Sequence, residues 1–311
     1  MSTGQESALI RAMPAVFVLI WSTGFIVAKF GLPFAPPFTF LAVRYLLSLL
    51  CFLVWIKLAG AKWPQGHVQW LHLCVVGLLT HAGYLGGVWL AVKSGMGSGL
   101  AALVVGLQPV LTALWVTATT GGQSSPHGSP DQANQKVSVR QWLGLALGLG
   151  GLVLVVWHKL GMGREATALT LGATVFALLC ITTGTLYQKQ FVVKTDVRSA
   201  NAVQLAAALV ATLPFALLES EAIVWNAPFL SALAWSVLVL TLGGSSLLYL
   251  LIQRGAATAV TSLMYLVPPT TAVMAWLLFN ETITLATVAG TVLTAVGVSL
   301  VVRSAAAKPP A

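Results

Sequence analysis

Long apolar runs with hardly a charge in them constrain this chain more than any other feature. One reads FTFLAVRYLLSLLCFLVWI, with Arg44 as its sole charge, and comparable runs recur from residue 13 to residue 303. A helix of that length crosses a hydrocarbon core about 30 Å thick. Ten such spans are read, at roughly 13–30, 37–58, 70–92, 98–119, 141–158, 167–188, 200–219, 230–253, 258–279 and 286–303. The runs are continuously apolar instead of polar at every second residue, so a β-barrel is excluded. Composition agrees: 58% of residues are apolar, 7% are charged and the mean hydropathy is +0.90, whereas a soluble domain carries about a quarter charged residues. The fold class expected is an all-α polytopic membrane protein.

Connections between the spans are short, except for TTGGQSSPHGSPDQANQKV after the fourth, whose Gly, Ser and Pro content predicts a solvated loop over 120–140. With the N-terminus in the cytoplasm, eleven Lys and Arg residues fall inside and only Lys29, Lys93, Lys159 and Arg164 outside. That asymmetry predicts a cell (inner) membrane protein with both termini cytoplasmic. It also accounts for the net charge of +9 without a nucleic-acid partner. Cys51, Cys74 and Cys180 all lie within apolar runs and predict no disulfide framework. The first run is too long for a signal-peptide core and is read as a retained span.

The chain also repeats itself. WSTGFIVAKF at 21–30 returns as ITTGTLYQKQ at 181–190, and the same spacing of 160 relates Gly83 to Gly243, Gly95 to Gly255 and Pro109 to Pro269. Matches of Gly, Lys and Pro are informative inside apolar helices, where matches of Leu or Ala are not. Beyond Pro109 the spacing shortens, so that Gly144 and Gly151 align with Gly290 and Gly297, and the long loop absorbs the difference. Two five-helix repeats follow, 1–160 and 161–311. An odd number of spans per repeat inverts the second repeat in the membrane, the plan of many secondary transporters.

In that plan the transported molecule binds near the midplane, where helices are interrupted. Pro109 lacks an amide hydrogen, as do Pro268 and Pro269, so the carbonyls of Val105, Met264 and Tyr265 lose their helical partners. These three prolines are the candidate helix breaks and gating positions. Ionisable side chains inside a span cost several kcal/mol unless hydrated or paired, which singles out Arg44 and His81; the repeat matches them to Gln204 and Thr241. Trp21, Ser22, Thr23, Tyr84, Gln108, Thr183, Tyr187 and Tyr265 complete the candidate substrate-binding set, as ring faces, hydroxyls and amides able to line a cavity. His72 is read as a packing residue, and Trp63, Trp70, Trp157 and Trp225 as interfacial belt. All seven carboxylates fall in loops, tails or span ends, so no buried acid is expected to carry a proton.

These features carry a resemblance. RGAATAVTSLMYLVPPTTAVMAWLLFNETITLATVAGTVLTAVGVSLVV, together with WSTGFIVAKFG, Arg44 and SGMGSGLAALVVGLQPVLTALW, resembles the EamA branch of the drug/metabolite transporter superfamily over nearly the whole chain. The first repeat departs from the family pattern after Trp115, where the long loop replaces the short turn with a Glu that Glu281 represents in the second repeat. The resemblance implies a ten-helix carrier that exports amino acids or related small metabolites, with the first and sixth helices bordering the cavity. Its expected partners are a small-molecule substrate and the lipid bilayer; no cofactor or metal is expected.

Rival classes leave less trace. No carbonyl-filter sequence or ring of charges marks a channel. No HExxH, GxSxG or Walker loop marks an enzyme or an ATP-driven pump. Movement of lipids or amphiphiles and multidrug transport remain open alternatives on the same fold. Monomer and homodimer are both open, because the Gly144, Gly148 and Gly151 face of the fifth span suits close packing within one chain or between two.

Overall fold

The computed structural model describes residues 3–112, 115, 139–161, 165–193, 195–244, 247 and 266–306. In chain order these form α1 (Thr3–Gly31), α2 (Pro37–Ala59), α3 (His67–Lys93), α4 (Ser98–Thr112), α5 (Val139–Gly161), α6 (Ala168–Phe191), α7 (Val197–Leu218), α8 (Ala227–Gly244), α9 (Val267–Phe279) and α10 (Leu285–Ala306). Six of them, α2, α3 and α5 to α8, are long and apolar enough to cross a membrane. Val16–Gly31 in α1, Ser98–Thr112, Val267–Phe279 and Leu285–Leu300 are shorter apolar stretches.

Local chemistry sets the helix ends. Proline opens α2, and Gly60 closes it in the left-handed region, φ 60°, returning its N–H to the Ile56 carbonyl. Thr167 and Thr170 cap α6 reciprocally, and the Asn226 side chain accepts the Phe229 N–H at the start of α8. Asp196 caps α7, accepting the Arg198 N–H, and the Arg198 guanidinium beside it holds its carboxyl below the usual carboxylate range.

The burial pattern is that of a protein whose solvent is lipid. Val210, Leu217 and Leu218 on α7, Val153 and Trp157 on α5, and Leu277 and Leu278 on α9 are exposed, while Ser22, Ser48, Thr170, Thr174, Thr271 and Thr294 are buried. Apolar exteriors of this extent do not persist in water. Several buried hydroxyls bond back into their own helices, Ser22 to the Val18 carbonyl, Thr174 to Thr170 and Thr182 to Leu178, at 2.7–2.8 Å, while Thr271 and Thr294 bond to carbonyls of neighbouring helices.

The helices pair in a regular way. α2 packs along α7, α4 against α9 and α5 along α10, while α1 packs against α8 and α3 against α6. A twofold relation between each helix and the one five later produces this set: three pairs map onto themselves and the last two exchange. Glycine permits the tightest of these contacts, since a Cβ at Gly297 would lie 2.4 Å from the Gly144 carbonyl oxygen and one at Gly151 2.4 Å from the Gly290 carbonyl oxygen. The hydroxyl of Thr294 donates to the Gly148 carbonyl at 3.3 Å in the same seam. The Gly144, Gly148 and Gly151 face is therefore used within the chain, against α10. Gly297→Val forces two backbones apart and is expected to lower the stability of the detergent-purified protein by about 1–3 kcal/mol, read as its thermal midpoint; an unchanged midpoint would show that this seam does not hold the bundle.

Candidate functional site

Two helices depart from α-geometry at matching places. α3 is π-helical over Leu78–Gly83, and α8 over Trp235–Gly244. The spacing of 160 that relates the two halves carries 78–83 onto 238–243, inside the second segment, and carries His81 onto Thr241. A π-turn widens the helix, shifts the face its side chains present and frequently marks a functional position.

Arg44 and Gln204, the other repeat-matched pair, approach these two turns in a crossed arrangement. Arg44 on α2 donates to Thr241 Oγ1 on α8, from Nε at 3.3 Å and from Nη2 at 3.2 Å. Gln204 on α7 lies beside the π-turn of α3 that holds His81, its backbone packed on Gly77 one residue before that turn. The second helix of each half thus lies against the π-turn of the other. Gly77 allows the second crossing, because a Cβ there would sit 2.3 Å from the Gln204 carbonyl oxygen. The equivalent residue of α8 is Val237, and the longer arginine makes the crossing on that side.

Tyr45, fully buried beside Arg44, donates its hydroxyl to the His81 carbonyl at 2.9 Å and sets its ring edge-on to the imidazole, 6.0 Å between centroids. Arg44 is close enough to Tyr45, His81 and Tyr84 for direct charge interaction. Arg44, Gln204 and Tyr84 are all buried, at 6–7% exposure, and His81 is half-buried. Of the candidates named from sequence, then, Arg44, His81, Tyr84 and Gln204 form one cluster. Sequence reasoning missed Tyr45, which nothing distinguishes in an apolar run. It named Thr241 only as the match of His81, and that match is the signal that would have found it.

The remaining candidates lie elsewhere. Ser22 is buried and bonded within α1, its carbonyl also accepting Thr271 Oγ1 of α9 at 3.3 Å. Trp21 packs on Phe17, and Thr23 Oγ1 accepts the indole N–H of Trp235 at 2.9 Å. Gln108 donates to Thr185 on α6 at 3.1 Å, two residues from Thr183, whose hydroxyl is satisfied by the Leu179 carbonyl. Tyr187 sits in the last turn but one of α6, its hydroxyl 2.8 Å from His72 Nδ1 and its ring against Phe191, away from the Arg44 cluster. Tyr265 lies outside the described residues, as does Met264.

The proline break in α4 takes a definite form. The chain turns at Gly106 and Leu107, where the Leu107 N–H bonds back three residues to Val104, and the carbonyl of Val105 faces Pro109 with no amide to receive. Pro268 and Pro269 occupy the first turn of α9. The two breaks touch, since a Cβ on Gly106 would lie 2.7 Å from Pro268 Cγ.

Arg44 apart, the charged side chains among the described residues lie at helix ends or in the connections. At the end bearing the C-termini of α1, α3 and α9, Lys29 pairs with Glu281 at 2.6 Å, Lys93 with Glu221 at 2.5 Å and Lys159 with Glu165 at 2.9 Å. Glu281 is 11% exposed and also accepts the Ser98 N–H at the start of α4 at 2.9 Å, so one largely buried acid does exist, bound to a lysine and a helix N-terminus. Glu219 accepts the Phe38 and Thr39 N–H groups at the start of α2. Among the described residues, all three ion pairs at this end join residues on either side of position 160, Lys159–Glu165 doing so only across the short connection from α5 to α6.

An all-helical bundle with an apolar exterior, paired halves and a polar cluster where the halves cross is the architecture of a membrane transporter. The chain belongs to the EamA-like transporter family, whose profile matches it twice, over residues 12–123 and 169–303. It is similar to an uncharacterized transporter of Archaeoglobus fulgidus, 27% identical over 297 residues, covering 92% of this chain and 94% of that protein. It is likewise similar to the uncharacterized transporter YvbV of Bacillus subtilis, 26% identical over 290 residues, with 92% and 89% covered. The uncharacterized inner membrane transporter YedA of Escherichia coli is 29% identical over 147 residues, 47% of this chain and 43% of its own. Among solved structures, one crystal structure superposes with a TM-score of 0.64 over 94% of this chain and 96% of that one, at 16% identity, and shares the fold.

The Lys29–Glu281 pair joins the halves through a nearly buried carboxylate, so it is worth more than a surface pair. A double-mutant cycle of Lys29→Ala and Glu281→Ala is expected to return a coupling of about 1–3 kcal/mol in thermal unfolding; simple additivity of the two single effects would show that the pair contributes nothing.

Proposed function

We propose that this membrane transporter is a secondary carrier of the inner membrane that exports amino acids or related small metabolites by alternating access. In this reading ten helices span the bilayer as two inverted repeats, 1–160 and 161–311, with both termini cytoplasmic. The observation that carries it is the crossed approach of the halves at the matched π-turns, Arg44 bonded to Thr241 at one and Gln204 packed beside the other, which holds His81. A conserved-energy helix core needs neither π-turns nor a buried guanidinium, and both have a cost. Their occurrence at positions related by the repeat supports a site shared by the two halves, as alternating access requires. Export is supported by the family pattern alone.

The touching breaks at Gly106–Leu107 and Pro268 supply a place where α4 and α9 can bend against each other. Counterflow in proteoliposomes preloaded with amino acids, nucleobases, sugars or cationic dyes tests the carrier directly, and trans-acceleration by one class is the expected result. Pro109→Ala and Pro269→Ala are each expected to slow that exchange several-fold with monodispersity intact. Rates unchanged in both variants would remove the breaks from the transport cycle, and leakage without trans-acceleration would make the protein a channel.

A further inference from the structure

Arg44 is a buried cation with no counter-ion among the described residues. Its side chain is 7% exposed in the interior of a membrane bundle, and its hydrogen-bond partner is the neutral hydroxyl of Thr241. None of the four ion pairs among the described residues includes it. The acids are committed elsewhere: Glu165, Glu221 and Glu281 to lysines, Asp196 to Arg198, and Glu219 to the start of α2. Burying a charge in this way is costly. Nearby Tyr45 donates its hydroxyl to the His81 carbonyl, so that donor offers no neutralisation either.

We propose that Arg44, oriented by Thr241, whose hydroxyl accepts from the guanidinium and donates to the Ser236 carbonyl, is the recognition site for a single carboxylate group of the transported molecule, and that Gln204 and His81 face its uncharged part. This rests on the carrier reading above and names the substrate class for it. A guanidinium has five N–H donors in a planar fork, and Thr241 engages only Nε and Nη2. The fork matches the two oxygens of a carboxylate. A phosphate monoester carries about −1.5 to −2 charges at neutral pH, and no second Lys or Arg accompanies Arg44 among the residues described around it, so one negative charge is the complement. The pseudo-equivalent position in the other half holds the neutral Gln204. One side of the crossing is therefore cationic and the other neutral, which orients a bound molecule.

The test uses the full-length protein in detergent and four related probes: L-leucine, isocaproate, which lacks the amine, L-leucinamide, which lacks the charge on the carboxyl side, and isoamylamine, which lacks the carboxyl. Thermal unfolding is expected to show stabilisation by one or both carboxylates and none by the amide or the amine. Leucine alone identifies a zwitterion site, and both carboxylates together identify a simple carboxylate site. Arg44→Gln is expected to weaken that binding by about tenfold or more, with Arg44→Lys retaining part of it, and to raise the midpoint of the ligand-free protein by removing an uncompensated charge. A structural arginine predicts the reverse, a lower midpoint in Arg44→Gln. Equal stabilisation by leucine and leucinamide, no stabilisation by either carboxylate, or stabilisation undiminished in Arg44→Gln overturns the assignment. Counterflow with the same probes separates the two readings: exchange of the amide or amine but not the acids leaves a carrier without this site, and carboxylate binding that requires Arg44 without exchange leaves the site without a carrier.

Discussion

Hydrocarbon offers no hydrogen bonds, and that constraint shapes every other feature of this molecule. A backbone in lipid must satisfy its amides and carbonyls internally, which is why the described residues form helix after helix. The same rule governs side chains. Ser22, Thr174 and Thr182 return their hydroxyls to carbonyls four residues back. Attraction between helices cannot come from burying oil in oil, so it comes from close approach. The Gly151–Gly290 and Gly144–Gly297 contacts between α5 and α10 show the result, two backbones separated by less than a side chain.

Against that background, the places where the rule is broken stand out. Ion pairs lie at the ends of the helices, and those that tie distant parts of the two halves together, Lys29–Glu281 and Lys93–Glu221, sit at one end of the bundle. In the interior, departures gather at two levels. One is the proline turn of α4 pressed against Pro268. The other is the pair of π-turns, where the second helix of each half lies against the third helix of the other. A helix that widens by one residue loses regular bonds and gains a displaced face, and here the displaced faces hold His81 and Thr241.

Much of this was legible in the sequence. The apolar runs marked the helical, membrane-embedded character of the chain, and the Gly, Lys and Pro matches pointed to positions that the structure sets side by side. Arg44 and His81 were visible because ionisable residues are rare in such runs. What the sequence could not convey was the crossing. Matching Arg44 to Gln204 and His81 to Thr241 says which positions are equivalent, yet not that the contacts run between members of different pairs. The π-turns were equally hidden, because nothing in LLTHAG or WSVLVLTLGG violates α-helical preference. Tyr187 and His72 illustrate the opposite limit: one was read as cavity lining and the other as packing, and they bond to each other near the end of α6.

The difference between the halves is as informative as their likeness. A duplicated bundle whose two crossings were chemically identical would present a twofold-symmetric surface and would hold an asymmetric molecule equally well in either direction. Here the crossings differ by one charge. Gly77 lets α3 lie close to the Gln204 backbone of α7, whereas Val237 stands at the equivalent point of α8 and the crossing there belongs to an arginine. The repeat places matched positions of both halves side by side at the crossing. With arginine on one side and glutamine on the other, the crossing is polar along one direction, and a polar crossing distinguishes the two ends of an asymmetric molecule where a twofold-symmetric one would not.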